Sequence, residues 1–367
     1  MKEKSQSAAA LQNAAALQTA VVGVTGYAGA ELARLLLHHS RLQGKPPVFA
    51  GRVDEKDVAR GGVPLSEIHP ELVDSRGSGA LKHEPFSWEL LKERGVDILF
   101  LATPHEQSRE WAPEALDRGI RVIDLSGAWR LTEAANRAVY AFDDDGTELA
   151  AATQSQAVYG MPELHRKEIA GARLVANPGC YATSVILPLK PLVAAGLINL
   201  EHGIVADAKS GVSGAGKAPT AKTHFMYAAD NLSAYGVFGH RHTGELLEQI
   251  GVTGSEIVFT PHLLPIPRGI LSTIYVQFNE PQTRASVLKV YRRFFDGSPM
   301  VRLYENGLPQ IQNSVRTSYA DIGFQLDASG RRAVIVSCLD NLLKGASSQA
   351  VQNMNVMQCW PESEGLE

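Results

Sequence analysis

The chain has 367 residues, 44% hydrophobic and 20% charged, with 35 basic against 39 acidic side chains and a formal net charge of −4. That length suits two domains, or one large one, with substantial apolar cores. The slightly acidic balance argues against broad nucleic-acid binding, which needs a basic face, and no apolar run approaches the roughly 18 residues of a membrane span.

Residues 1–19, MKEKSQSAAALQNAAALQT, are rich in Ala and Gln and lack the strongly apolar middle of a secretory signal. They read as a frayed or partly helical extension, with a role in assembly as the alternative. Residues 20–24 predict a short buried strand, Thr25–Gly29 a glycine-rich turn, and Glu31–His39 a helix with Leu32, Leu35 and Leu36 on one face. Val48–Ala50 reads as a second strand. Asp97–Ala102 and Val122–Leu125 are further buried strands, with a helix over Glu106–Arg118 between them. The strand Leu174–Ala176 leads into a helix over Cys180–Ala195. Gly203–Ala208 is another strand, and the Gly/Ser/Lys-rich segment Lys209–Lys217 an ordered loop. Ile257–Thr260 and Leu271–Phe278 read as strands separated by Pro261–Arg268. A helix over Thr283–Phe295, a strand over Ala333–Ser337 and a closing helix over Gly345–Gln358 complete the chain. Alternating short strands and helices predict a parallel sheet covered on both faces, and the alternation continues past Asn177. Without an internal repeat or long linker, the domains are expected to interleave.

Gly23-Val24-Thr25-Gly26-Tyr27-Ala28-Gly29 lies between a strand and a helix. Glycine permits a positive φ and close approach of a pyrophosphate, and the helix N-terminus offers free N–H groups. The spacing, GxxGxxG, is a variant of the commoner GxGxxG, so a purely structural turn is the alternative. The second strand ends at Ala50-Gly51-Arg52, where an NAD site usually carries an acid. Arg52 suits a 2′-phosphate and favours NADP over NAD, against the plain reading of a solvated loop arginine with Asp54 further on.

Asn177-Pro178-Gly179-Cys180 joins a strand to an apolar helix. Pro and Gly predict a turn that puts the Cys180 sulfur at the helix N-terminus, where the dipole favours the thiolate. Cys338, within a strand, reads as a small buried apolar residue, and Cys359 carries no assigned role. An odd, sparse set of three cysteines is no disulfide framework and fits a reducing, cytoplasmic compartment. His240-Arg241-His242 follows a glycine-bearing aromatic stretch. His240 suits general acid–base work near neutral pH. A metal site is the rival, but an i, i+2 His pair without a third ligand leaves no metal assigned. Asp124–Arg130 follows the end of a strand, where doubly wound sheets place ligands. Lys209–Lys217 is rich in amides, hydroxyls and ammonium groups without Walker spacing. Arg130, Ser213 and Lys217 suit a phosphate, and each alone also reads as a surface or capping group.

The chain resembles the N-acetyl-gamma-glutamyl-phosphate reductase family of arginine biosynthesis, within the aspartate-semialdehyde dehydrogenase-like group. The resemblance runs from about residue 20 to 358 through GVTGYAGAEL, VIDLSGAWRL, YGMPELHR, LVANPGCYATS, DAKSGVSGAGKAP, HRHTGEL, FTPHLLPIPRGIL and DNLLKGASSQAVQNMN. It implies an α/β chain: an N-terminal Rossmann-type doubly wound domain (20–176 and 340–367), a second α+β catalytic and dimerisation domain (177–339), and a last helix returning to the first. It implies NADP(H) held by Gly23, Thr25, Gly26, Tyr27, Ala28, Gly29, Arg52, Pro104 and Asn341. Cys180 would be the nucleophile and His240 the acid/base, with Arg130, Ser213, Lys217, Arg241 and His242 on the substrate and its phosphate. An acyl phosphate and inorganic phosphate, a homodimer or homotetramer, and a Cys180 thioester follow from the same resemblance. Two departures stand out. The family's Ala-Asp-Phe-Arg reads Gly127-Ala128-Trp129-Arg130, losing an acid, and Val53–Asp57 adds charge beside Arg52. The rivals are aspartate-semialdehyde dehydrogenase, a lysine-pathway reductase of a carrier-bound aminoadipyl phosphate, a cofactor-free cysteine hydrolase or acyltransferase, and a non-catalytic NADP sensor.

Overall fold

In the computed structural model, which describes residues 17–42, 44–73 and 80–367, the strands gather into two sheets. The first contains β1 (Thr19–Val22), β2 (Val48–Gly51), β3 (Val63–Pro64), β4 (Lys82–Pro85), β5 (Ile98–Leu101), β6 (Arg121–Asp124), β7 (Ala157–Tyr159) and β8 (Leu174–Ala176). Its order is β3-β4-β2-β1-β5-β6-β8-β7, with every described neighbour pair parallel except β3 with β4. Side chains on a strand alternate between faces, and β1 is buried throughout because both faces are covered. Val21 joins the core made with Leu32, Leu36 and Met354, while Ala20 and Val22 join the one with Leu116 and Trp129. Most of the alanine-rich extension, residues 1–16, lies outside the described residues.

The second sheet contains β9 (Ile204–Gly211), β10 (Ser233–Ala234), β11 (Ile257–Leu264), β12 (Ile270–Gln277), β13 (Val301–Leu303), β14 (Ala320–Leu326) and β15 (Arg332–Leu339), in the order β10-β11-β9-β12-β15-β14-β13. It is mixed rather than parallel: β9 with β11 and β13 with β14 run parallel, the other pairs antiparallel. The alternation read past Asn177 therefore does not give a second parallel sheet. A tight turn with Gly330 at φ 69° joins β14 to β15 as a hairpin, which no crossover helix separates. The strands are also longer than expected, so Lys209–Gly211 and Pro261–Leu264 belong to β9 and β11. Helices Cys180–Ala194 and Arg284–Phe294 cover one face of this sheet, while Val205, Val258 and Tyr275 are exposed on the other.

The chain then returns. A π-type turn, Leu343–Ser347, leads into helix Ser348–Met357, whose Val351 and Met354 complete the first-sheet core. Its polar residues are buried, and its amides bond to neighbouring elements, with Asn353 Nδ2 donating to the Gly160 carbonyl at 2.8 Å.

Candidate active site

Gly23 ends β1 with φ 96°, and a Cβ there would collide with the Ala102 carbonyl. A Cβ on Gly29 would collide with the Gly23 carbonyl, whereas one on Gly26 would lie 3.5 Å from that oxygen. Two of the three glycines are thus fixed by close packing of backbone on backbone. Helix Tyr27–His38 starts directly after Gly26 and presents its free N–H groups there. On one side of this loop a groove of about 530 Å³ is lined by Gly23, Gly26, Arg52, His83, Pro104 and Trp111. On the other a cavity of about 570 Å³ is lined by Tyr27, Ser213, Lys217, Thr223 and Arg268, and Thr25 lines both. The inserted charges beside Arg52 turn away into the short helix Glu55–Val58, where Asp57 pairs with Arg60 at 2.9 Å. Two cavities meeting at bare helix N–H groups fit an elongated dinucleotide, with Arg52 at one end.

Cys180 opens helix Cys180–Ala194, with Gly179 as the N-cap. Gly179 is extended, at φ −72°, so it is not there for a left-handed turn. A Cβ on it would collide with the His242 ring. The expectation of an acidic thiol does not hold in this resting form. Burial pushes the Cys180 thiol up to about 11, outweighing the N–H groups of Tyr181 and Cys180 itself and the nearby Arg130 charge. Those two N–H groups nevertheless favour the thiolate, and suit a negative charge developing beside it.

Beneath the cysteine lies a residue the sequence reading overlooked. Glu245 is fully buried and accepts from Gly179 N at 2.9 Å, Tyr159 Oη at 2.7 Å and Arg130 Nη1 at 3.2 Å. Arg130 also donates to the carbonyls of Asn177 (2.7 Å) and Leu125 (2.8 Å). Three of its five N–H donors thus brace the turn before Cys180. His240 packs edge-on against Tyr181, 5.6 Å between ring centroids, and against Tyr235 and Phe259. Burial, with the Arg241 charge adding to it, pulls His240 down to about 4, below the near-neutral value expected. Its Nδ1 accepts from the His242 backbone N–H at 3.1 Å, so in the neutral ring the proton sits on Nε2. Burial likewise holds His242 well below its ordinary value. Arg241 is exposed and lies 5.8 Å from the Tyr140 ring centroid.

The remaining predicted residues fall on the junction between the sheets. Lys217 Nζ donates to the Thr25 carbonyl at 3.1 Å, and Ser347 Oγ to the Ala28 carbonyl at 2.7 Å. Asn341 is buried; its Nδ2 donates to Ser213 Oγ at 2.9 Å and its Oδ1 accepts from Gly269 N at 2.7 Å. Among the described residues no cluster of His, Cys, Asp and Glu could hold a metal, and no helix is long and apolar enough to cross a membrane.

Comparison with known proteins shows the family and the fold. Residues 18–172 match the family model described as semialdehyde dehydrogenase, NAD binding domain, and residues 180–341 the one described as semialdehyde dehydrogenase, dimerisation domain. The chain is 42% identical to the N-acetyl-gamma-glutamyl-phosphate reductase of Desulfotalea psychrophila, covering 96% of this chain and 98% of that one. It is 41% identical to the protein of that name from Geobacillus stearothermophilus, covering 95% and 98%. In fold it matches aspartate semialdehyde dehydrogenase II of Vibrio cholerae, with a TM-score of 0.67, 18% identity, and 94% and 99% of the two chains covered.

Proposed function

The chain belongs to the N-acetyl-gamma-glutamyl-phosphate reductase family, and we propose that it reduces N-acetyl-L-glutamyl 5-phosphate to the 5-semialdehyde with NADPH, through a thioester on Cys180. The observation that carries this reading is Cys180 at a helix start, braced by Glu245 and Arg130, across the junction from the glycine loop. Residues 20–176 with 340–367 hold the dinucleotide in this reading, and 177–339 supply the chemistry. Gly23, Gly26, Arg52 and Pro104 line one end of the dinucleotide's site and Thr25 and Tyr27 continue it, while Gly29, Ala28 and Asn341 support it from behind through Gly23, Ser347 and Ser213. When bound, the dinucleotide supplies hydride.

The protein's own part is position and charge. Cys180 attacks the acyl carbon; the carbon–sulfur bond forms as the carbon–oxygen bond to phosphate breaks. The thiol proton leaves with the phosphate. Lys217, Ser213 and Arg241 draw the anion in. The N–H groups of Cys180 and Tyr181, with the Nε2 proton of His240, face the acyl oxygen as charge develops. His242 fills the space over Gly179 and fixes the turn. The open face of the second sheet, with Val205, Val258 and Tyr275 exposed, is the face that pairs with another copy. Three free thiols suit a reducing cytoplasm. The test is the reverse reaction: N-acetyl-glutamate 5-semialdehyde, phosphate and NADP should give NADPH only with phosphate present. Reduction of NADP without phosphate would sink this reading.

A further inference from the structure

Beyond Tyr159, Asn341 and Ser347, two of the sequence segments put no side chain into that account: Tyr159–Arg166 and Asp340–Asn355. They meet in the interior. Lys344 and Glu163 have side chains 1% and 0% exposed and pair at 2.7 Å. Gln352 closes a triangle, accepting from Lys344 Nζ at 2.6 Å and donating to Glu163 Oε1 at 3.0 Å. A buried ion pair is weak evidence for stability, since well-packed apolar residues usually serve as well. Its location is more telling. The turn carrying Lys344 touches each part of the site in succession. Asn341 holds Ser213, and a Cβ on Gly345 would lie 2.7 Å from Cys180 Cβ. The Ala346 carbonyl accepts from Asn177 Nδ2 at 3.0 Å, and Ser347 holds Ala28. At its start, Asp340 accepts from the N–H groups of Leu342 and Leu343 and from Arg268, which reaches Glu31 on the first helix.

We propose that the buried Lys344–Glu163 pair anchors the turn 340–347 and, through Gly345, sets where Cys180 stands relative to the glycine loop; both are positioning residues. The inference rests on Cys180 being the nucleophile. Misplacement of a reacting group by about 1 Å costs on the order of a hundredfold in rate. The test uses the full chain with Cys359→Ser, which removes the exposed thiol. The double variant Lys344→Met/Glu163→Leu leaves no lone buried charge. It should stay folded, with a melting temperature lowered by no more than the orphaned Gln352 oxygen accounts for, and keep its NADPH affinity by fluorescence, while the rate of Cys180 alkylation by iodoacetamide and kcat both fall at least tenfold. Gly345→Ala, which pushes directly on Cys180 and lowers the melting temperature by overpacking, should show the same falls in alkylation and kcat, and it decides the matter if the double variant does not fold. Unchanged alkylation and kcat in either folded variant would overturn the proposal. Alkylation and cofactor affinity do not presuppose the thioester, so its failure would show separately, in turnover alone.

Discussion

The Gly179 backbone N–H donates to Glu245 Oε2 at 2.9 Å, although 66 residues separate the two in the chain. That bond ties the residue before the nucleophile to a carboxylate held by Arg130 and Tyr159. Glu245→Ala would leave the buried Arg130 without its counter-charge and Gly179 without its acceptor. We expect a loss of about 3–5 kcal/mol in unfolding free energy, read by denaturant titration. Glu245→Gln, which keeps an acceptor oxygen, should lose less stability, with a larger effect on kcat than on KM for the dinucleotide.

The two outer glycines and the middle one should separate cleanly. Gly29→Ala forces a Cβ into the Gly23 carbonyl, an overpacking worth about 1–3 kcal/mol, and should weaken NADPH binding with it. Gly26→Ala has 3.5 Å of clearance from that oxygen and should cost little in stability. Equal losses in the two variants would contradict the packing described for the loop.

Arg52 offers the test of dinucleotide choice. A lost charge-assisted hydrogen bond is worth about 1.5–3 kcal/mol. Arg52→Ala should therefore raise KM for NADPH on the order of tenfold or more and leave KM for NADH nearly unchanged. Parallel changes in both would remove Arg52 from 2′-phosphate recognition.

The histidines give a pH signature. His240 is pulled from 6.5 down to about 4 and His242 lower than normal, chiefly by burial, so the folded state prefers both neutral. Each folded pKa lies below its unfolded value. The stability they contribute is present above about pH 6.5 and is lost as pH falls toward 4. His240→Asn should flatten that acid limb in thermal melts taken across this range. An unchanged limb would mean that other buried groups carry it.

Much of this site was legible because its signals are local. The glycine loop between strand and helix, and Pro178-Gly179 before an apolar helix, each need only neighbouring residues to be read. The helix over Cys180–Ala194 starts at the predicted residue for that reason. The missed features are those made by distant contacts. Glu245 carries no local mark of its role, since its partners come from Tyr159, Gly179 and Arg130. Burial, which follows from the whole fold, reversed the expected shift of Cys180 and lowered His240. β14 escaped notice because Asp321 and Gly323 interrupt its apolar pattern; Asp321 is buried against Arg302, and Gly323 makes room for Pro309. Arg130 read as a phosphate ligand because an isolated arginine after a strand usually points outward, whereas this one turns inward to three protein acceptors.

The covalent step is tested most directly by intact-protein mass spectrometry after mixing the protein with N-acetyl-L-glutamyl 5-phosphate in the absence of NADPH. One acyl group should appear on the protein and, after proteolysis, map to the peptide containing Cys180, with phosphate released in equal amount, and NADPH should then discharge it. Cys180→Ala should bind NADPH, form no adduct and lose turnover. Full turnover in Cys180→Ala, or an adduct that NADPH leaves intact, would contradict the account.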